Sequence, residues 1–533
     1  MIALPTIEVD VDRSHTWLNY PVDKVGPYNN FDCIAAAIAR RELPVILAQS
    51  RNADYFAWWN AHVVPAAMNV QRRGFGHLDK GRQALYKRKV NTELFELEKK
   101  LLGETKRFDR MRDEAEAWRQ EHERKDLAAA TAKNTTKKKP LPEHLVPVTK
   151  GRQRQIGYES RLRKIEEARE RFLNSNDMKA EFIFDELGLK PAPRTHKRPA
   201  RSIGQHALLH IYRHLRQKDE PHKWVVEDLF HRSRLNTIRT RYLDPPVGPE
   251  NRIYPHLRVY GSETLRWAYS DPALHQWVPE IRHLVVARRG HCFVACDWAQ
   301  LEARIMAYLA GDQQDIEAFE DRSRDVHAET AQDLFRLTPE EWGGVEAGLR
   351  KKMRDFAKTK RYEIGYGGSG LGNQAKAYCP CPRCADKVPQ MLALSPQEQR
   401  TIMKRWEAKR PTTLRWREDT YQQCLRNNKR WTSDVSGYSR QFFRPASEIR
   451  TELANYPCQH TAAELMNRAV VKLDQLGAPL VFTHHDALVL EVPLADRDHW
   501  ASVLKEVMEE PVPELNNARF PTDPKQGEDW GQL

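Results

Sequence analysis

The chain has 533 residues, 40% hydrophobic and 30% charged, which excludes a single small core and calls for several subdomains. The 86 Lys and Arg exceed the 73 Asp and Glu by 13; with 14 Trp and 17 Tyr, this reads either as a surface for a polyanion, most simply nucleic acid, or as a basic surface with no specific partner. No stretch reaches the ~18 apolar residues of a membrane span, the acidic start MIALPTIEVDVDR is no secretion signal, and eight cysteines without a regular framework point to a reducing, cytoplasmic setting.

Residues 1–60 are mixed, with an apolar helical stretch, CIAAAIA, and a strand-like PVILA. Residues 91–127 read as a long charged helix and 159–174 as a second one. Between them lies AAATAKNTTKKKPLPEHLVPVTKGRQRQ, a basic, Pro-containing loop. The pair forms a helical hairpin, read either as a plain coiled arm or as an arm whose basic tip meets a nucleic-acid backbone. NSNDMKAEFIFDELGLKP is a short helix stopping at Gly188, and residues 206–244 are helical again. RHLVVARRGHCFVACDW holds two apolar strands around an Arg-Arg-Gly turn. Helices follow over 298–336, 349–365 and 396–427. The end of the chain has a helix near 461–476, a strand hairpin, and a helix near 494–509.

The hairpin LVFTHHDALVLEVP places Asp486 between two apolar runs. A second carboxylate, Asp297, ends the strand in FVACDWAQLEARIMAYLAGD. Taken singly, Asp297 reads as a helix N-cap and Asp486 as a turn residue. Taken together, two rigidly held carboxylates suit a pair of Mg²⁺ ions that bind substrate phosphates. In RDFAKTKRYEIGYGG, Arg354, Lys358, Tyr362 and Tyr366 recur every four residues and share one helical stripe. Two cations and two aromatics in a stripe can clamp a triphosphate and stack on a base; a helix standing alone would make them a solvated face.

These three stretches, in this order, resemble motifs A, B and C of the family A DNA polymerases. RDVHAETAQDLF, NYPCQHTAAELMNRA, RLNTIRTRYLD, TLRWAYSDPALHQWVP and the final GEDWGQL resemble further segments of that family, so the likeness runs from about residue 60 to the end. The resemblance implies an α+β, mostly helical right hand with an antiparallel-sheet palm. The expected layout is an N-terminal segment 1–60, a helical thumb 61–245, palm 246–312, fingers 313–454 and palm again 455–533. It implies template-directed addition of deoxynucleotides to primer–template DNA with two Mg²⁺ ions, Mn²⁺ being able to substitute. By position, Asp297, Asp486 and the Trp298 carbonyl would hold the metals. Arg354, Lys358 and His327 would meet the triphosphate, with Lys358 also placed to serve the leaving group. Tyr362 would stack beside the nucleotide, a tyrosine there implying tolerance of nucleotides without a 3′-hydroxyl. Gln300 would line the nucleotide site, and Glu302, held by Tyr366, would be a steric gate against ribose. Arg266, Asn455, Gln459 and His485 would line the primer terminus and nascent pair.

Some positions depart from the family pattern. Ala487 stands where motif C carries Glu, so the third carboxylate is absent. Trp298-Ala299 replaces Tyr-Ser. His460 replaces a small residue and is expected to tighten the minor-groove side of the nascent pair. Arg361 adds a cation without an evident purpose. Too few residues precede the resemblance for a proofreading exonuclease, which suggests a short, phage-like form acting in a bacterial or phage-infected cell. Tyr28 and Asp32 keep the spacing of that domain's last motif, read either as chance or as a trace of a split gene with a separate exonuclease or processivity partner. Cys379, Cys381 and Cys384 read as reduced thiols or as part of a zinc knuckle short of a fourth ligand. The competing functions are a single-subunit RNA polymerase, which the Glu302 gate opposes, and a non-catalytic DNA-binding protein, which the intact Asp297, Asp486, Arg354 and Lys358 oppose.

Overall fold

The computed structural model describes residues 51–136, 151–191, 222–321, 323–366 and 396–533, with scattered positions between 201 and 215. In chain order its strands are β1 (Phe75–Leu78), β2 (Arg252–Ile253), β3 (His256–Arg258), β4 (Ala268–Ser270), β5 (Val285–Val286), β6 (His291–Trp298), β7 (Arg430–Thr432), β8 (Ser439–Gln441), β9 (Leu480–His484), β10 (Ala487–Pro493) and β11 (Thr522–Gly527).

Helix α1 (Val64–Arg73) leads into β1, and a helical region follows with α2 (Lys80–Glu104), α3 (Lys106–Thr135), α4 (Gly151–Asn174) and α5 (Lys223–Arg241). The charged run expected to be one helix breaks at Thr105. Its extended backbone caps α3 by accepting from the Arg107 amide, and its hydroxyl donates to Glu186 at 3.0 Å. α3 and α4 pair antiparallel. The Arg161 guanidinium lies 3.8 Å over the Trp118 ring, and Arg154 pairs with Asp126 at 3.2 Å. Gly157 is needed there, because a Cβ would sit 2.5 Å from the Trp118 indole. The base of the hairpin packs Leu101, Phe108, Phe172, Phe182 and Val225 into their own apolar core.

The central sheet runs β11-β6-β10-β9, all neighbours antiparallel. Residues 292–296 of β6 are all buried, as expected of a strand covered on both faces. α12 (Tyr456–Gln475) and α13 (Arg497–Met508) join this sheet in the largest core among the described residues. β1, β2 and β5 form a second small sheet that packs on the first, with the Phe75 ring 4.6 Å from Phe482 and 5.4 Å from Phe293. The strands flanking the Arg-Arg-Gly turn therefore lie in different sheets: β5 pairs with β1, and β6 with β10 and β11. A buried ion pair, Arg252 to Glu491 at 2.6 Å, ties β2 to β10. Burial alone would raise the Glu491 pKa, but Arg252 and Arg288 outweigh it and hold it low.

Between β6 and β7 the chain forms α6 (Leu301–Ala310), α7 (Gln313–Glu320), α8 (Val326–Phe335), α9 (Ala347–Gly365), α10 (Pro396–Ala408) and α11 (Pro411–Arg426). The stretch over 298–336 read as helical holds three helices. Gly311 (φ 63°) ends α6, and Asp312 and Asp325 cap α7 and α8 by accepting backbone N–H bonds. Pro411 likewise begins α11 anew. α12 starts five residues before the expected 461, with Pro457 in its first turn.

Candidate active site

Three local devices fix the two strand carboxylates. The Trp298 indole N–H donates to the Met508 carbonyl at 2.8 Å behind the sheet, locking the end of β6. The Trp298 amide donates to the Asp486 carbonyl at 3.2 Å, joining the two motifs through backbone. A two-residue connection, His485 (φ 56°) and Asp486, turns β9 into β10, so Asp486 stands beside the Asp297–Ala487 pair. Asp297 is exposed on the open end of the sheet, and Asp486 is 27% exposed.

Gln300 takes a left-handed backbone (φ 59°), which starts α6 at once and puts Glu302 in its first turn. Arg266 pairs with Glu302 and donates to Asp486 at 3.1 Å, and the Tyr366 hydroxyl donates to the other Glu302 oxygen. The partnership of Tyr366 and Glu302 expected from sequence is therefore present. Arg266, expected at the primer terminus, is here bonded to the carboxylates Glu302 and Asp486.

The electrostatics of this cluster are unbalanced. Asp486 has a pKa pushed up to about 6, by burial first and then by Glu302 and Asp297, against the opposing pull of Arg266. Asp297 is also raised, by the protein packed around its flanks, although Lys525 and Lys358 pull it down. Burial lowers the pKa of His485, and that of His484 to about 3, so both rings are neutral at pH 7. Tyr362 and Tyr366 are raised by burial and nearby negative charge, and stay protonated donors.

The stripe on α9 is real. Arg354, Tyr362 and Tyr366 are half-buried and Lys358 exposed, with the Tyr362 and Tyr366 rings 6.2 Å apart. Lys358 is near enough for its charge to act on Asp297, so the stripe faces the carboxylates. Arg354 donates to Asp325 at 2.6 Å, a residue that sequence reasoning passed over although it caps α8. His327 does not lie on the open face. It is 1% exposed beneath Tyr362, with neither ring nitrogen hydrogen-bonded among the described residues, and burial holds its pKa near about 3. Arg361 points the other way, 1% exposed. It donates to Asp315 at 2.8 Å, with Arg410 joining at 3.2 Å; its purpose is to anchor the inside of this helical layer.

Asn455 precedes α12 and Gln459 lies one turn inside, both half-buried. His460 does not narrow the cleft. It is 0% exposed, stacked on Tyr438 at 4.9 Å and hydrogen-bonded to the Ser436 hydroxyl at 2.8 Å, where an aromatic cluster has room for a ring. Cys379, Cys381 and Cys384, like Tyr28 and Asp32, lie outside the described residues. A cavity of about 590 Å³ lies elsewhere, lined by Leu173, Lys179 and Arg232.

A divalent cation suits this donor set. Two hard oxygen donors stand side by side, burial and then like charges raise the pKa of Asp486, and the Gln300 side-chain oxygen is buried without a hydrogen-bond partner among the described residues. No group of three or more His, Cys, Asp or Glu residues placed to hold a metal occurs among the described residues, so water or substrate oxygens would complete the shell.

A four-stranded antiparallel sheet with two carboxylates at its open end, facing a cationic helix, is an α+β polymerase fold. The POL domain of Pol1 from M. smegmatis, solved in complex with DNA primer-template and dNTP, has the same fold: TM-score 0.60 at 18% identity, covering 92% of this chain and 73% of that one. Residues 150–532 match DNA polymerase family A. "DNA polymerase I, thermostable" of Thermus filiformis is 32% identical over 364 residues, 64% of this chain and 40% of that protein. DNA polymerase I of Geobacillus stearothermophilus is 26% identical over 325 residues, 56% of this chain and 34% of that protein. The chain belongs to DNA polymerase family A, and it spans about two fifths of the length of the Thermus relatives it matches. No helix among the described residues is long and apolar enough to cross a membrane.

Proposed function

We propose that the chain is a template-directed DNA polymerase that adds deoxynucleotides to a primer 3′-hydroxyl and releases pyrophosphate. The observation that carries this reading is the placement of Asp297 and Asp486 on one sheet end, opposite the α9 stripe. In this reading Asp297, Asp486 and the Trp298 carbonyl hold two Mg²⁺ ions, with Mn²⁺ as a substitute. Bound there, the ions lower the pKa of the 3′-hydroxyl and balance charge on the leaving pyrophosphate.

The chain's own groups do the rest. Arg354 and Lys358 hold the triphosphate, and Lys358 carries a proton at its ammonium group that it can give to the departing phosphate oxygen. Arg354 would exchange Asp325 for phosphate, a charge-assisted bond for a similar one. Tyr362 stacks on the nucleotide, with Gln300 at the start of α6 beside it. Glu302, fixed by Arg266 and Tyr366, fills the space a ribose 2′-hydroxyl would need. His327, beneath Tyr362, supports that ring rather than touching phosphate. Asn455, Gln459, His485 and Arg266 meet the primer terminus; Arg266 would have to leave Asp486 to do so. The proposed layout is a thumb over 61–245, fingers over 313–454, and a palm from 246–312 and 455–533. The hairpin's own core, from Leu101 to Phe230, supports a distinct thumb, whereas Ala66 to Leu94 and Leu235 to Leu243 pack into the core of the sheet.

The test is primer extension with Mg²⁺ on a templated duplex, comparing dNTPs with rNTPs in the unsubstituted chain and in Glu302→Ala. The expected result is extension with dNTPs alone, and ribonucleotide use gained by Glu302→Ala. Extension with rNTPs by the unsubstituted chain would overturn the gate. No extension with either, despite tight duplex binding, would favour a DNA-binding protein.

A further inference from the structure

We propose that Asp523 is a positioning residue that supplies the third carboxylate of the cation-binding row, from edge strand β11 rather than from the residue after Asp486. This rests on the polymerase reading above and adds a residue to the same site. In the motif C pattern that third carboxylate is a Glu, and here the position is Ala487. In the sheet, Ala487 is paired with Asp297 on one side and Asp523 is paired with Asp297 on the other. Residues directly opposite in antiparallel strands project to the same face, with Cβ atoms about 4.5–5.5 Å apart. The row across three strands therefore reads Asp523, Asp297, Ala487.

The neighbouring row fixes the parity. Trp298 and Thr522 are opposite each other, and both turn to the back of the sheet. The indole bonds to Met508 there, and the Thr522 hydroxyl donates to Glu509 at 3.0 Å. Asp297 and Asp523 must then face the open side. Ala487 leaves one flank of Asp297 without a carboxylate, and the register sets Asp523 against the other flank.

Like charges directly opposite in a sheet are destabilising. Nothing about an edge strand requires one here. Asp523 is exposed, and no hydrogen bond or ion pair holds its carboxylate among the described residues, so it does not repay that cost within the fold. Lys525, two residues along on the same face, is the leading counter-charge acting on Asp297. It offsets the row in the absence of a divalent ion. The three carboxylates do not form a ready-made inner shell among the described residues. Mg²⁺ characteristically keeps several waters, so Asp523 acts by accepting hydrogen bonds from water carried by the cation. Asp523 would thereby help position such water beside Asp297.

The test is Mn²⁺ binding to the full chain with primer–template, read by electron paramagnetic resonance, alongside the Mg²⁺ dependence of single-nucleotide extension. Groups around a metal's direct ligands typically change its affinity by 10–100-fold when removed. Asp523→Asn and Asp523→Ala are expected to weaken Mn²⁺ binding roughly 10-fold and to raise the half-saturating Mg²⁺ in parallel, with the extension rate at saturating Mg²⁺ little changed. Asp523→Ala combined with Ala487→Glu, which moves the carboxylate to the opposite flank, is expected to recover most of the affinity. A purely structural role at the sheet edge would shift the melting temperature and leave the binding curve on that of the unsubstituted chain; that result overturns the proposal. So does a double variant no better than Asp523→Ala. Should the unsubstituted chain neither bind Mn²⁺ nor extend a primer, the polymerase reading falls as well. Should it extend, and lose this in Asp486→Asn while Asp523→Ala binds normally, only the present inference falls.

Discussion

Two aspartates in this molecule have arginine partners and opposite fates. Asp315, among the helices beyond β6, is 8% exposed and accepts from both Arg361 and Arg410. Burial alone would raise its pKa, but two guanidinium groups outweigh burial and lower it. Asp486, at the sheet end, shares a single guanidinium, that of Arg266, with Glu302 and stands near Asp297; its pKa rises to about 6. The difference is one of charge balance. The chain completes Asp315 from its own residues, whereas it leaves Asp486 short of positive charge. In the proposed reading a cation from outside fills that deficit, and this separates a structural ion pair from the candidate site.

Substitutions can break this contrast at either end. Asp315→Asn would strand two buried guanidiniums and should cost about 3–5 kcal/mol in urea unfolding, since removing one partner of a buried pair leaves uncompensated charge. Unfolding at the parent midpoint would show that Arg361 and Arg410 do not depend on Asp315. A buried group that avoids charge altogether gives a second measure. Burial holds His460 down to about 4 from a usual 6.5, so between those values the unfolded chain binds the extra proton. Stability should therefore fall as pH drops through that window, by about 3 kcal/mol at pH 4. His460→Phe should flatten that acid limb, and an unchanged limb would place the proton uptake elsewhere. The smallest effect belongs to Asp486. Its folded pKa lies above the unfolded 3.8, so stability is lost as the pH rises from 3.8 to about 6, and the full cost is present above that. Asp486→Asn should stabilise the chelator-treated protein at pH 7 by about 1–3 kcal/mol. A loss of stability instead would mean that Arg266 gains more from Asp486 than the carboxylate loses by burial.

The sequence disclosed the site more fully than the fold that carries it. Asp297, Asp486 and the α9 stripe with Tyr366 were legible because their chemistry needs fixed residue types at short spacings, whereas Glu302 came only from the family resemblance. Apolar runs bounded by carboxylates and a four-residue period mark those types directly. What pairs with what was less legible. The strands on either side of the Arg-Arg-Gly turn look like hairpin arms, yet β5 joins β1, a partner some 200 residues earlier, through packing that no local pattern encodes. Helix breaks at Thr105 and Asp312 depended on single capping side chains within otherwise helical composition. His460 misled, and Arg361 stayed without a purpose, for a shared reason. A polar residue beside a motif looks functional from sequence, and only burial reveals that each faces away from the cleft. Asp523 went unremarked because nothing in TDPKQG marks a partner until the register sets it against Asp297.

The most direct test of the central claim is single-turnover incorporation of one templated deoxynucleotide in Mg²⁺, comparing the unsubstituted chain with Asp486→Asn on the same bound primer–template. The account predicts incorporation opposite the complementary base, slowed by roughly 10²–10³-fold in the variant, the scale for losing one electrostatic group from a transition state. Duplex affinity should be retained. Incorporation by Asp486→Asn at the parent rate, or none by the parent with Mg²⁺ and duplex both bound, would contradict it.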